Sequence, residues 1–186
     1  MRRAIIAVSI SAIALAVQAR GSASSSCQSA VRTFLSAPNA KSLNALQQSH
    51  CAVLIILSNA NVTRLNELVK SGNRWAAEFS ARNLKGLDGG NLEDALVALG
   101  QFSEHDMVRL LMFAQAGLLS TNELSDALTM LPLSLSDNPG AQLNLVMTRR
   151  NKAAAVREQV LSNQRAQALK ALDDFAVEIR SKQNTP

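Results

Sequence analysis

Residues 91–132 read NLEDALVALGQFSEHDMVRLLMFAQAGLLSTNELSDALTMLP, and the punctuation of this stretch decides the fold class. Asn91 and Asp94 have the spacing of a helix cap and a first-turn acid. Leu92, Ala95, Leu96 and Leu99 follow at helical intervals before Gly100. Ser103 and Asp106 repeat the cap spacing ahead of Met107, Val108, Leu110, Leu111, Met112 and Phe113, and Gly117 closes that segment. Ser120 and Glu123 make a capping box for Leu124, Ala127, Leu128 and Leu131, and Pro132 ends the run. Three short helices are expected. The middle one is apolar around most of its circumference, which predicts a place at the centre of the fold. Residues 92–99 resemble 124–131 at an offset of 32; two amphipathic helices with early acids look alike, so this is read as shared pattern rather than a repeat.

Helical periodicity continues outward in both directions, and no strand-like alternation lasts beyond a few residues. Upstream, Val31, Phe34 and Leu35 mark a helix from Cys27 that breaks at residues 36–39. A second helix runs to about Leu57 on a stripe of Leu43, Leu46, Val53, Leu54 and Leu57. Asn61 is read as the cap of a third, and Ser71, Gly72 and Asn73 as its stop; Trp75, Ala76 and Phe79 carry a fourth. Downstream, Asp137 and Asn138 cap a segment with Pro139 at its first position, and to Lys182 only Gly140 lacks helix propensity. Unbroken, that segment would be ~65 Å long, against ~40 Å for a compact chain of this size, so it either projects or breaks. The stripe changes face near Ser162 and Asn163.

The first nineteen residues have the layout of a secretory signal peptide. Arg2 and Arg3 precede a charge-free run, AIIAVSISAIALAV, and a small-residue cleavage pattern ends at Ala19. The run is shorter than the roughly 20 residues that span a bilayer. The expected class is therefore all-α: a single multi-helix domain of about 7–9 helices with a long or broken C-terminal helix, behind an N-terminal signal peptide. The expected divisions are 1–19 signal peptide, 20–26 polar tail, 27–137 helical core, 138–182 C-terminal helix or helix pair, and 183–186 tail. Periplasmic or secreted localisation follows from the leader.

Export reassigns the cysteines. Cys27 and Cys51, an even pair in an oxidising compartment, are expected to form one disulfide. Losing Arg2 and Arg3 lowers the net charge from +5 to +3, which with the compartment argues against a nucleic-acid partner. Composition narrows the field further. Hydrophobic residues at 47% and charged ones at 18% exclude a wholly disordered chain. Aromatic residues at 3% argue against sugar platforms and stacked single-stranded nucleic acid. Two cysteines exclude a four-cysteine zinc site.

Candidate chemistry is sparse. His50 lies in the apolar stripe of the second helix and is read as a neutral core histidine, with base or ligand as the competing role. Glu104, His105 and Asp106 are the densest titratable cluster, read as first-turn residues after Ser103 rather than a catalytic set. No motif for catalysis, metal or cofactor is recognised, so neither catalytic residues nor cofactors are assigned. The feature favoured for interaction is basic: Arg149, Arg150, Lys152, Arg157 and Arg165, in a C-terminal stretch of eight basic and four acidic residues from 141 to 186. The expected function is an exported, non-enzymatic helical protein that binds another protein in the cell envelope, as an inhibitor, an immunity-type antidote or an assembly adaptor. The alternatives are a cell-envelope enzyme using His50, Glu104 or His105, and a helical protein lying on anionic membrane; the C-terminal helix also offers a surface for self-association.

Overall fold

Every regular element among residues 25–183, the part of the chain that the computed structural model describes, is helical. The all-α expectation is borne out there; the leader reading lies outside the described residues. Two compact units divide the chain, Met1–Leu57 and Ser58–Pro186. The division thus falls within the stretch expected as one core, and the C-terminal helices belong to the larger unit.

The first unit contains α1 (25–36), α2 (Ala40–Gln48) and the single turn α3 (Val53–Ile56). Asn39 starts α2. Its side chain accepts from the Ser42 N–H at 3.0 Å, while the Ser42 hydroxyl accepts from the Asn39 N–H at 3.0 Å. Val31, Phe34, Leu35, Leu43, Leu46 and Ile55 are buried. A disulfide joins Cys27 to Cys51, with their Cα atoms 5.3 Å apart. The two cysteines lie equally far before and after Asn39, so turn and disulfide close the two ends of an antiparallel hairpin.

The second expected helix does not run to Leu57. It stops at Gln48 because Ser49, His50 and Cys51 form a Schellman end. The Cys51 N–H donates to Leu46 O and the His50 N–H to Gln47 O, with His50 at φ 54°. The same end closes α4 at Gly72 and α7 at Gly117, both with positive φ. His50 takes a position that glycine normally fills, and it is exposed rather than buried.

The second unit contains α4 (Asn59–Lys70), α5 (Arg74–Asn83), α6 (Gly89–His105), α7 (Met107–Gln115), α8 (Thr121–Thr129), α9 (Pro139–Ala155) and α10 (Ser162–Gln183). Three short 3-10 turns, Leu84–Gly86, Leu133–Leu135 and Gln159–Leu161, punctuate them. The cap of α4 is Ser58, whose hydroxyl accepts from the Asn61 N–H, so Asn61 lies inside the helix. Likewise Asp88, not Asn91, precedes α6.

Two helices share the centre of this unit: α6 packs against α4, α5, α7, α8 and α9, and α7 against α5, α6, α8, α9 and α10. The 107–115 helix is thus central as expected, but one side of it is open: Met112 of α7 is 43% exposed, and Val108 and Ala114 are half-buried. Gly100 does not stop α6; the helix continues to His105 with Ala95, Leu96, Leu99, Phe102 and Ser103 buried. Gly100 is there for space. A Cβ at that position would overlap the Ala127 carbonyl oxygen of α8 and lie 2.9 Å from the Arg149 guanidinium. Across the α6–α7 bend, the rings of Phe102 and Phe113 stack with centroids 6.1 Å apart.

The C-terminal segment breaks rather than projects. Val156 leaves α9 in an extended conformation and α10 begins at Ser162. The two helices pack along each other as an antiparallel pair: Arg150 bonds Asp173, and Arg165 reaches back to Val156. The buried stripe of α10, Ala168, Leu172, Ala176 and Ile179, has the spacing of one helix face. Its helix returns against α7, α8 and α9. No helix among the described residues is long and apolar enough to cross a membrane.

Candidate functional site

The five basic residues expected on one surface divide among three environments. Arg149 is fully buried. Its Nε and Nη2 donate to Glu104 Oε1 at 3.2 and 3.0 Å, and Nη1 donates to the carbonyls of Leu128 at 2.9 Å and Met130 at 3.3 Å. Those carbonyls end α8, where a cation complements both the unpaired acceptors and the helix dipole. Burial lowers the Arg149 pKa, and the bond to Glu104 works in the opposite direction. Arg149 thereby ties α9 to α6 and α8 and is removed from any interaction surface. The sequence carried a signal for this: position 149 lies three after Val146 and four before Ala153, both buried, inside the apolar stripe of α9.

Arg150 is half-exposed and bonds Asp173 through Nε at 2.6 Å; that hydrogen bond and the opposite charge raise its pKa. Arg165 Nη1 donates to the Val156 carbonyl at 2.8 Å, holding the turn between α9 and α10. Both serve the helix pair. Lys152 and Arg157 remain: their side chains are exposed and have no ion-pair partner among the described residues.

These two cations flank an open groove of about 330 Å³ where the α6–α7 bend meets the α9–α10 turn. His105, Asp106, Met107 and Val108 line one side, and Lys152, Ala155, Val156, Arg157 and Glu158 the other. Met107 and Val156 are nearly buried and supply an apolar floor. The acids nearby are engaged. Asp106 Oδ1 accepts from the Arg109 N–H at 2.9 Å and caps α7, and Glu158 Oε2 accepts from the Arg157 N–H at 3.1 Å.

The titratable candidates are scattered. Glu104 faces Arg149. His105 ends α6, and its Nε2 lies 3.0 Å from the Lys70 carbonyl oxygen at the end of α4. A carbonyl only accepts, so that nitrogen carries the proton. The ring also covers Gly72, whose added Cβ would lie 3.0 Å from it. His105 therefore braces α6 against the α4–α5 turn. His50, in the first unit, sits on the surface beside the disulfide. None of the three follows a helix start: Ser103, Glu104 and His105 belong to the last turn of α6, and Asp106 alone caps α7. Among the described residues no three His, Cys, Asp or Glu side chains gather around a point that would hold a metal ion.

Comparison with family models, with curated proteins and with solved structures returned no match.

Proposed function

We propose that this chain is an exported, non-enzymatic protein that binds another protein in the cell envelope, as an inhibitor, an immunity-type antidote or an assembly adaptor. The observation that carries the reading is the groove beside the α9–α10 turn. It combines an apolar floor with two cations, Lys152 and Arg157, that no described carboxylate pairs. Its occupant is a polypeptide segment presenting an apolar side chain between carboxylates: the side chain fills the floor and the carboxylates meet the flanking cations. The apolar leader and the Cys27–Cys51 disulfide support a periplasmic or secreted setting.

The test is site-specific photocrosslinking from position 155, on the groove lining, in native cell envelope, repeated with Lys152→Glu/Arg157→Glu. One stoichiometric protein crosslinked by the parent and lost with the double variant supports the reading. Crosslinks to lipid alone, or a protein partner indifferent to the charge reversal, overturn it. In the first case the surface-bound reading on anionic membrane replaces it.

A further inference from the structure

We propose that Cys27 is a site of thiol–disulfide exchange with a small monothiol, and that exchange there unfolds the first unit while the second stays folded. The inference is independent of the groove, since it rests on the asymmetry of the disulfide. Cys51 is 1% exposed, locked behind the Schellman end of α2. Cys27 is half-buried on α1, among exposed Ser25, Ser26, Gln28 and Ser29. A thiolate must approach the sulfur it attacks in line with the bond it breaks, so access decides which sulfur reacts. Here access favours Cys27.

The monothiol is itself the reductant, and no other is needed. The monothiolate sulfur bonds Cys27 Sγ, the Cys27–Cys51 bond breaks, and Cys51 leaves as a thiolate that takes a proton from water. The products are a mixed disulfide on Cys27 and a free thiol on Cys51. A second monothiolate attacking the mixed disulfide completes reduction and carries away the oxidised monothiol.

Opening changes the first unit more than the second. Its helices α2 and α3, nine and four residues long, are too short to persist as isolated helices in water. Closing a loop of this span shifts the folding equilibrium by about 300-fold through the unfolded chain. His50, held at positive φ between α2 and Cys51, loses the restraint on its far side. The second unit contains no cysteine. Its internal ties, Arg149 to Glu104, His105 to Lys70 and Arg165 to Val156, do not depend on the disulfide.

The experiment exposes the oxidised full chain to reduced glutathione, quenches with acid, alkylates free thiols and maps tryptic peptides; cleavage at Arg32 and Lys41 separates the two cysteines. Glutathione is expected on Cys27 and the alkyl group on Cys51, with at least about a tenfold preference. Glutathione on Cys51, or shared equally, overturns the assignment. Hydrogen exchange on the same adduct, beside a Cys27→Ser/Cys51→Ser variant, reads the second half of the proposal. Amides of residues 28–57 are expected to lose about 100-fold or more of their protection, with residues 59–183 unchanged. Retained protection in the first unit, or matching loss in both, overturns it.

Discussion

Gly100→Ala is expected to destabilise the protein, against the ordinary preference of a helix interior. Alanine in place of an interior helical glycine normally gains about 1 kcal/mol. At Gly100 the new methyl would overlap the Ala127 carbonyl oxygen and press on the Arg149 guanidinium at 2.9 Å. Backbone cannot step aside as a flexible side chain can, so α6 and α8 must separate at their crossing, an overpacking cost of about 2 kcal/mol. Pushing Nη1 away from the Leu128 carbonyl weakens a buried hydrogen bond worth about 1 kcal/mol. With the propensity gain set against both, the net loss is about 2 kcal/mol. For a chain of this size that lowers the melting temperature by roughly 4–8 °C. Urea and thermal unfolding followed by helical circular dichroism measure it. Combining the change with Arg149→Met removes one of the two obstructions, so the double variant is expected to lose about 1 kcal/mol less than the two singles together. A Gly100→Ala protein as stable as the parent, or more so, would refute the close α6–α8 crossing and return Gly100 to the role of helix stop.

Other consequences are smaller and separable. Arg149→Met alone keeps the volume but strands the Leu128 carbonyl, so about 2 kcal/mol of stability is expected to disappear from the urea midpoint. His50→Gly relieves a left-handed backbone position and is expected to raise the midpoint of the oxidised protein by about 1 kcal/mol; a loss would mean that the histidine side chain itself holds the turn. Arg165→Ala removes the bond to the Val156 carbonyl at a cost of about 1 kcal/mol. Hydrogen exchange should quicken first in residues 156–161, and uniform quickening along α9 and α10 would contradict a local tie. Glu104→Gln keeps an acceptor for Arg149 but drops the charge, and thermal unfolding is expected to register a smaller loss than for Arg149→Met.

Much of the helical order was legible, and the failures have specific causes. The box of Ser120 and Glu123, the cap of Asn138 before Pro139 and the stops at Gly72 and Gly117 stand where local chemistry put them. Each is decided by groups a few residues apart. The Cys27–Cys51 pairing was legible because only one pairing exists. Gly100 was misread because a glycine that ends a helix and one that admits a neighbouring helix look the same in a single sequence. His50 was misread because the Schellman end used a residue with a Cβ, which erased the usual mark. Arg149 was grouped with its basic neighbours although its place in the α9 stripe already argued for burial. What periodicity could not reveal was its partner: the Leu128 and Met130 carbonyls come from another helix. The groove was illegible for the same reason, since its two sides lie about fifty residues apart in the chain.

The return of α10 against α7, α8 and α9 constrains when the chain can fold. A polypeptide emerging N-terminus first, from a ribosome or a membrane channel, presents α1 and α2 complete with both cysteines early. Everything that closes the first hairpin lies within a short span of chain. The larger unit has no such option. Leu172 and Ile179, which complete its interior, appear only after α4 to α9 have been made. Until then the apolar faces of α8 and α9 have no cover from α10 and offer themselves to chaperones and proteases. A truncation that removes α10 would therefore arrest the folding of the second unit rather than trim its surface.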